Sequence, residues 1–301
     1  MIPVVATLGV MDGVHLGHQA VVASARARAR EAGARLVAFT FDPPPWVVLK
    51  NRPGEPLLTL LGERLALLRD AGVDEVRVLH FDHALAAKSP EAFLVEHVFP
   101  FARLASLVLG YDFALGRDRE GTPAALARLG KRRGFSVATV PALVRNGTPI
   151  SSRRIRDALA RGDVDEALAC LGRPYAQSGV VESGEGRGRT LGFPTANIRI
   201  PPGRLSPAHG VYAVRVHGIG AEGLPGVANL GRRPTFGGGE ERLEVHILKP
   251  VGTLNGVRLT VDFIARIRPE VKFNDINELS TQIARDAARA EALLGAAYPL
   301  S

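Results

Sequence analysis

Val-Val-Ala-Thr-Leu-Gly-Val-Met-Asp-Gly-Val-His-Leu-Gly-His, residues 4–18, decides the fold of the first half of the chain. An apolar run, Val4–Val10, has the composition of a strand buried on both faces. Glycines follow at 9, 13 and 17, and then a helical stretch runs from about His18 to Ala32. Glycine at a strand-to-helix turn lets the backbone come close to a ligand. The helix start then offers free N–H groups and a partial positive charge to an anion. His15 and His18 are three residues apart and can point the same way from the first helical turn. Two imidazoles there suit a triphosphate and the charge that develops in phosphoryl transfer. The competing reading is half of a metal site, but no third ligand stands at a fitting spacing.

Working outward, strand and helix alternate. Leu36–Phe41 precedes a helix at Gly62–Ala71, Glu75–His80 one at Glu91–Phe99, and Ala105–Gly110 one at Pro123–Gly134. Ser136–Val140 precedes a helix at Ser151–Arg161, and a shorter helix ends near Leu171-Gly172. This order predicts a parallel sheet covered on both faces. Beyond Arg173 the texture changes to six short Val- and Ile-rich runs: Gln177–Val181, Thr195–Ile200, Val211–Val216, Gly226–Asn229, Leu243–Leu248 and Leu259–Ile267. Turns such as Pro201-Pro202-Gly203 part them, and one amphipathic helix, Ile276 to Leu294, closes the chain. The pattern predicts a barrel or sandwich, with the domain break at 172/173.

Composition narrows the function. The 301 residues predict about two domains. Of 38 Lys and Arg only five are Lys, so the net charge of +8 is carried by arginine, whose fork of donors suits phosphate. Residues 1–172 hold 22 basic and 18 acidic side chains and residues 173–301 hold 16 and 12, so each part is +4. That even spread lacks the stripe or arm of a nucleic-acid binder, and Arg26–Arg30, alternating with alanine, reads as a solvated helix face. Cys170 is the single cysteine, which excludes an internal disulfide and a cysteine-based zinc site. No apolar run reaches the ~20 residues that cross a bilayer, and no leader pattern opens the chain, so a cytoplasmic protein is expected. The sequence sets no oligomeric state.

Two more segments of the first half look built for nucleotide. Leu109-Gly-Tyr-Asp112-Phe-Ala-Leu-Gly116 leaves a strand into a loop dense in Gly and Arg. Ile150-Ser151-Ser152-Arg153-Arg154-Ile155-Arg156 opens a helix with hydroxyls and then cations. Ser151 as an N-cap is the ordinary reading, to which Ser152 and Arg156 add phosphate binding. GVMDGVHLGH, GYDFALG and ISSRRIR, in this order and at these distances, resemble the N-terminal domain of bacterial riboflavin kinase/FAD synthetases, nucleotidyltransferases with an HxGH signature.

In the second half, Gly188-Arg189-Thr190-Leu-Gly192-Phe193-Pro194-Thr195-Ala196-Asn197 leads from a loop into a strand. Glycines beside arginines can cradle a pyrophosphate. The run is not a Walker A loop, since Arg189-Thr190 follows Gly188 and Ser183 stands five places before it, and not a dinucleotide fingerprint, since no helix follows. Thr195 and Asn197 alternate on one strand face, and their oxygens suit Mg²⁺ held jointly with nucleotide phosphates. Asn229-Leu-Gly231 and Glu244-Val-His246 follow, with Glu244 on the face opposite Val245 and Ile247. A carboxylate there can accept a hydroxyl proton, while the ordinary reading is a solvent-facing residue paired with Arg. GRTLGFPTAN, then LEVHI and IRPEVKF, resemble the flavokinase domain of the same family, a Greek-key barrel.

The resemblance implies a Rossmann-like α/β nucleotidyltransferase domain, 1–172, and a mainly β barrel with a C-terminal helix, 173–301. It implies phosphorylation of riboflavin to FMN and adenylylation of FMN to FAD, with Mg²⁺-ATP in both and no nucleic-acid or membrane partner. His15 and His18 would bind ATP phosphates and stabilise the transition state. Gly9, Asp12, Gly17, Asp112, Ser151, Ser152 and Arg156 would hold nucleotide or FMN phosphate. In the kinase, Gly188, Arg189, Thr190, Pro194, Asn229 and Arg268 would line the substrates, Thr195 and Asn197 would take the metal, and Glu244 would be the base. The chain departs from the family at Met11 (usually Phe), at Pro43-Pro44-Pro45 (usually Pro-His-Pro) and at Arg153 (usually Thr). It departs also at Lys249-Pro250 and at Leu254-Asn255-Gly256, where the family has Asp/Asn-Phe and Leu-Tyr-Gly. A flavokinase with a degenerate first domain, and a flavin-binding regulatory module, stand as alternatives. FAD and pyrophosphate from FMN and ATP would exclude the first, and ADP released with riboflavin the second.

Overall fold

Buried apolar runs set the first sheet. β1 (Pro3–Leu8) and β2 (Arg35–Asp42) are covered along nearly their whole length, as strands sandwiched between helix layers must be. The structure, a computed structural model, describes residues 2–50, 54–183, 192–220, 222–232, 241–273 and 275–297. With β3 (Glu75–His80), β4 (Arg103–Gly110) and β5 (Ser136–Val140) they form a parallel sheet of order β3-β2-β1-β4-β5. Strand order reverses between β1 and β4. In doubly wound sheets the crevice beyond the carboxyl ends of two such strands is where ligands bind. The loops after β1 and β4 are those that carry the histidines and GYDFALG.

α1 (Leu16–Glu31) covers this sheet with Val21, Val22, Ala25 and Ala29, while Arg28 and Arg30 face solvent. Of the alternating Arg-Ala run, Arg28 and Arg30 are solvated as its spacing predicts, while Arg26 is half-buried and paired with Asp74. α3 (Leu61–Asp70), α5 (Pro90–His97) and α6 (Pro123–Arg133) follow as expected to within three residues at each end. β1 ends two residues early because Gly9 opens the turn, and α1 starts two residues early because His15 caps it. Two single-turn helices, α2 (Pro45–Leu49) and α4 (His83–Ala86), and a two-residue hairpin, β6 (Val144–Arg145) with β7 (Thr148–Pro149), are additions the periodicity did not announce.

The chain divides into compact units at Ser152/Arg153, while the change of texture falls at 172/173. The helices between, α7 (Ser152–Arg161) and α8 (Val164–Leu171), bury Ile155, Leu159, Val164 and Leu171. The main chain of α7 is bonded to the barrel unit, where Ala208 N–H donates to Leu159 O at 2.8 Å and Arg266 Nη1 to Arg161 O at 3.0 Å.

The six expected strands of the second half all form: β8 (Tyr175–Glu182), β9 (Thr195–Arg199), β10 (Gly210–His217), β11 (Leu224–Arg232), β12 (Glu241–Ile247) and β13 (Arg258–Arg268). They close an antiparallel barrel in the order β10-β11-β12-β9-β8-β13. Tyr212, Val214, Leu230, Leu243, Val245, Val261 and Phe263 are fully buried. The C-terminal helix (Ile276–Ala297) packs Ala290 and Leu294 on an outer apolar patch made by Val211, Ala213, Val227 and Ile264.

Candidate active sites

In the first unit, the β1–α1 turn is wound through unusual backbone. Met11, Gly13 and Val14 have φ of 54°, 83° and 40°. A left-handed β-branched residue is uncommon and marks a place where neighbours impose the conformation. The turn delivers His15 as the N-cap of α1, where its Nδ1 accepts from His18 N–H at 3.3 Å. That acceptor role leaves the proton of the neutral ring on Nε2, as a donor. The His15 and His18 rings stack at 3.6 Å between centroids and 18° between planes. Gly17 allows this approach, since a Cβ there would stand 3.1 Å from the His15 ring.

His18 keeps partial surface exposure, but protein encloses its titrating ring. Burial first, and His15 second, hold its pKa well below the ordinary 6.5. Its Nδ1 is buried with no hydrogen-bond partner among the described residues. The first turn of α1 has no carboxylate, so nothing there opposes an anion. The pair is thus a stacked set at a helix start, with the His18 ring held neutral.

Asp12 is placed differently. It is 1% exposed, and its carboxylate accepts from Leu58 N–H and Thr59 N–H at 3.1 and 2.9 Å. Ser152 joins the same turn, its hydroxyl donating to Asp12 O at 2.9 Å, and Ser151 precedes it at the mouth of α7. Arg156 belongs to the other compact unit. Asp112 is exposed after β4, its carbonyl accepting from Arg119 Nη2 at 3.1 Å. The glycines of that loop serve close packing: a Cβ on Gly116 would lie 2.8 Å from Lys88 O, and one on Gly121 2.5 Å from Leu115 O.

In the barrel unit, strand register aligns the second constellation. Arg268, Val211, Asn229, Glu244, Asn197 and Glu182 are successive cross-strand partners, so they form one row on the outer face. Ala213, Val227, His246 and Thr195 form the next row. Two cavities open on these rows. One of about 340 Å³ lies under the C-terminal helix, lined by Phe193, Val211, Asn229, Glu244, Arg268 and Phe273 among others. The other, about 880 Å³ and wider, is lined by Glu182, Pro194, Asn197 and the segment 245–255. Thr195 and His246 line both, so they stand at the shared wall.

The Glu244 side chain has no ion pair among the described residues, while its backbone pairs with Asn229 and Asn197. His246 Nδ1 donates to Pro194 O at 2.9 Å and meets Phe193 edge to face at 5.5 Å. Gly188, Arg189 and Thr190 lie outside the described residues.

A flavokinase family model described as riboflavin kinase matches residues 171–294, and one described as FAD synthetase matches 2–154. A bifunctional riboflavin kinase/FMN adenylyltransferase of Escherichia coli K12 is 38% identical, over 98% of this chain and 94% of that protein. The Bacillus subtilis protein of the same description is 36% identical, over 95% and 91%. The chain belongs to the bifunctional riboflavin kinase/FMN adenylyltransferase family. A crystal structure described as a macrolide-efflux protein from Streptococcus pneumoniae superposes with TM-score 0.89 at 31% identity, covering 96% of this chain and 94% of that one. Among the described residues of the present chain, no helix is long and apolar enough to cross a membrane.

Several residues of this flavokinase/adenylyltransferase stand in the quoted motifs without a role assigned to them. Phe193, His246, Glu270 and Phe273 line the smaller cavity. Only His246 carried a signal, standing two places from Glu244 on the same face. Arg268 proves to be occupied: its Nε and Nη2 grip the nearly buried Asp286 at 2.8–3.1 Å, and Nη1 donates to Pro269 O at 3.0 Å. It therefore ties β13 to the C-terminal helix at the cavity wall. Of the departures from the family pattern, Lys249, Pro250, Leu254 and Asn255 all line the larger cavity.

Proposed function

We propose that the chain makes FAD from riboflavin in two ATP-dependent steps, phosphorylation in 173–301 and adenylylation in 1–172, with α7 and α8 bracing the barrel. The observation that carries this is the pairing of two cavities along one wall, with Glu244 in the smaller and Asn197 in the larger. The smaller, walled by Phe193, Val211, Val227, Val271, Phe273 and Ile283, suits a flat apolar ring system. The larger, aliphatic but with Glu182 and Lys249 at its edges, suits the nucleotide.

Glu244 accepts the proton of the ribityl hydroxyl as that oxygen attacks the terminal phosphorus of ATP, and ADP leaves. Thr195 at the shared wall and Asn197 in the larger cavity offer hard oxygens, which fits Mg²⁺. That ion keeps few protein ligands and takes the rest from phosphates and water. Mg²⁺ supplies neutralisation of the phosphate charge in both reactions.

In adenylylation a phosphate oxygen of FMN attacks the α-phosphorus of ATP and pyrophosphate leaves. His15 donates from Nε2 to the oxygens on which charge grows, and His18 shares the task from one turn on. Gly9 and Gly17 keep the approach open, and Ser151 and Ser152 hold the neighbouring helix start. Both reactions draw on ATP, so the enzyme works in the cytoplasm. Incubation with riboflavin, ATP and Mg²⁺ is expected to yield FMN first, then FAD with pyrophosphate. No conversion of riboflavin would refute the reading, and FMN without FAD would confine it to the kinase.

A further inference from the structure

Asp12 sits inside the histidine-bearing turn, yet its carboxylate is committed to the segment that enters α3. Thr59 makes the junction. Its N–H and its hydroxyl both donate to Asp12 Oδ1, at 2.9 and 3.0 Å, and the same hydroxyl accepts from Gly13 N–H at 2.9 Å. One side chain thereby fixes two consecutive residues of the turn. Arg64, further along α3, is completely buried. Its Nη2 donates to Phe41 O at 3.1 Å and lies 3.9 Å from Asp42, at the carboxyl end of β2. Burial lowers its pKa, whereas the charges of Asp12 and Asp42 raise it.

The turn held in this way is strained. Met11 and Val14 are left-handed with side chains 4% and 1% exposed, a conformation that persists only where the surroundings over-determine it. Val14 directly precedes His15, so slack in the turn passes straight to the ring that caps α1 and stacks on His18.

We infer that Thr59 is a positioning residue for adenylyl transfer, acting through Asp12 and Gly13 to hold the turn that stacks His15 on His18. The inference rests on the assignment of the two histidines to that reaction. Thr59→Val removes both hydroxyl bonds at constant shape. In the full chain it should lower kcat for FAD formation from FMN and ATP about 100-fold, the scale of a small misplacement of catalytic groups. KM for each substrate should move less than about threefold, because binding is not what is lost. Thr59→Ser restores most of the rate. His18 gives a second readout by NMR: its ring stays neutral well below pH 6.5 in the parent and titrates nearer that value in Thr59→Val.

Riboflavin phosphorylation by the same samples should be unchanged. Should Thr59→Val not fold, Thr59→Ala carries the same expectations. A folded variant with parental kcat and parental His18 titration would overturn the inference, as would equal loss in Thr59→Val and Thr59→Ser. If His15→Ala with His18→Ala leaves FAD formation intact, the histidine assignment itself fails, which is a separate outcome.

Discussion

His18 shows how one side chain joins stability to chemistry. Its folded pKa lies well below the ordinary 6.5 because protein surrounds the ring and His15 adjoins it. The unfolded chain therefore takes up a proton near pH 6.5 that the folded chain refuses, and stability falls as pH drops through that value. Above it the two states bind alike and the contribution is flat. Denaturant unfolding of the first unit between pH 7.5 and 5.5 should show this loss, at up to about 1.4 kcal/mol per pH unit. His18→Asn should flatten the profile, and an unchanged slope would place the effect elsewhere. The His-x-Gly-His signature made the residue legible. Thr59, which bonds to the same turn, was not, because it stands 46 positions from Gly13 and only folding brings it there.

At the scale of elements, alternation and apolar runs located the sheet strands to within two residues and the barrel strands to within three, because buried faces repeat along the chain. α2, α4 and the β6–β7 hairpin are too short for any periodicity to register. Register was partly readable: Thr195 with Asn197, and Glu244 opposite Val245, followed from alternation within a strand. The row joining Glu244 to Asn197 and Asn229 did not, since it depends on which strands become neighbours. Two predictions belong here. Gly179→Ala places a Cβ 2.1 Å from Arg199 O where β8 meets β9, and should destabilise the barrel by about 1–3 kcal/mol in denaturant melts. Asp286→Asn strips the charge from a nearly buried partner of Arg268. It should lower stability by about 3 kcal/mol and raise KM for riboflavin with little change in KM for ATP.

Over the whole molecule, two folds of different class share one chain, as the change of texture near residue 172 announced. The composition could not reveal that α7 and α8 pack with the barrel, because an amphipathic helix does not name the surface it covers. A fragment of residues 153–301 should fold and phosphorylate riboflavin, whereas residues 173–301 alone should melt lower, having lost the bonds at Leu159 and Arg161 and the apolar cover of α8. Equal melting temperatures would show that the helices brace nothing.

The division of labour is tested most directly by reciprocal variants given each substrate in turn. With ATP and Mg²⁺, Glu244→Gln should fail on riboflavin yet convert supplied FMN to FAD at the parental rate. His15→Ala with His18→Ala should turn riboflavin into FMN and stop there. If either well-folded variant lost both reactions, or if Glu244→Gln still phosphorylated riboflavin at the parental rate, the assignment of one reaction to each site would be contradicted.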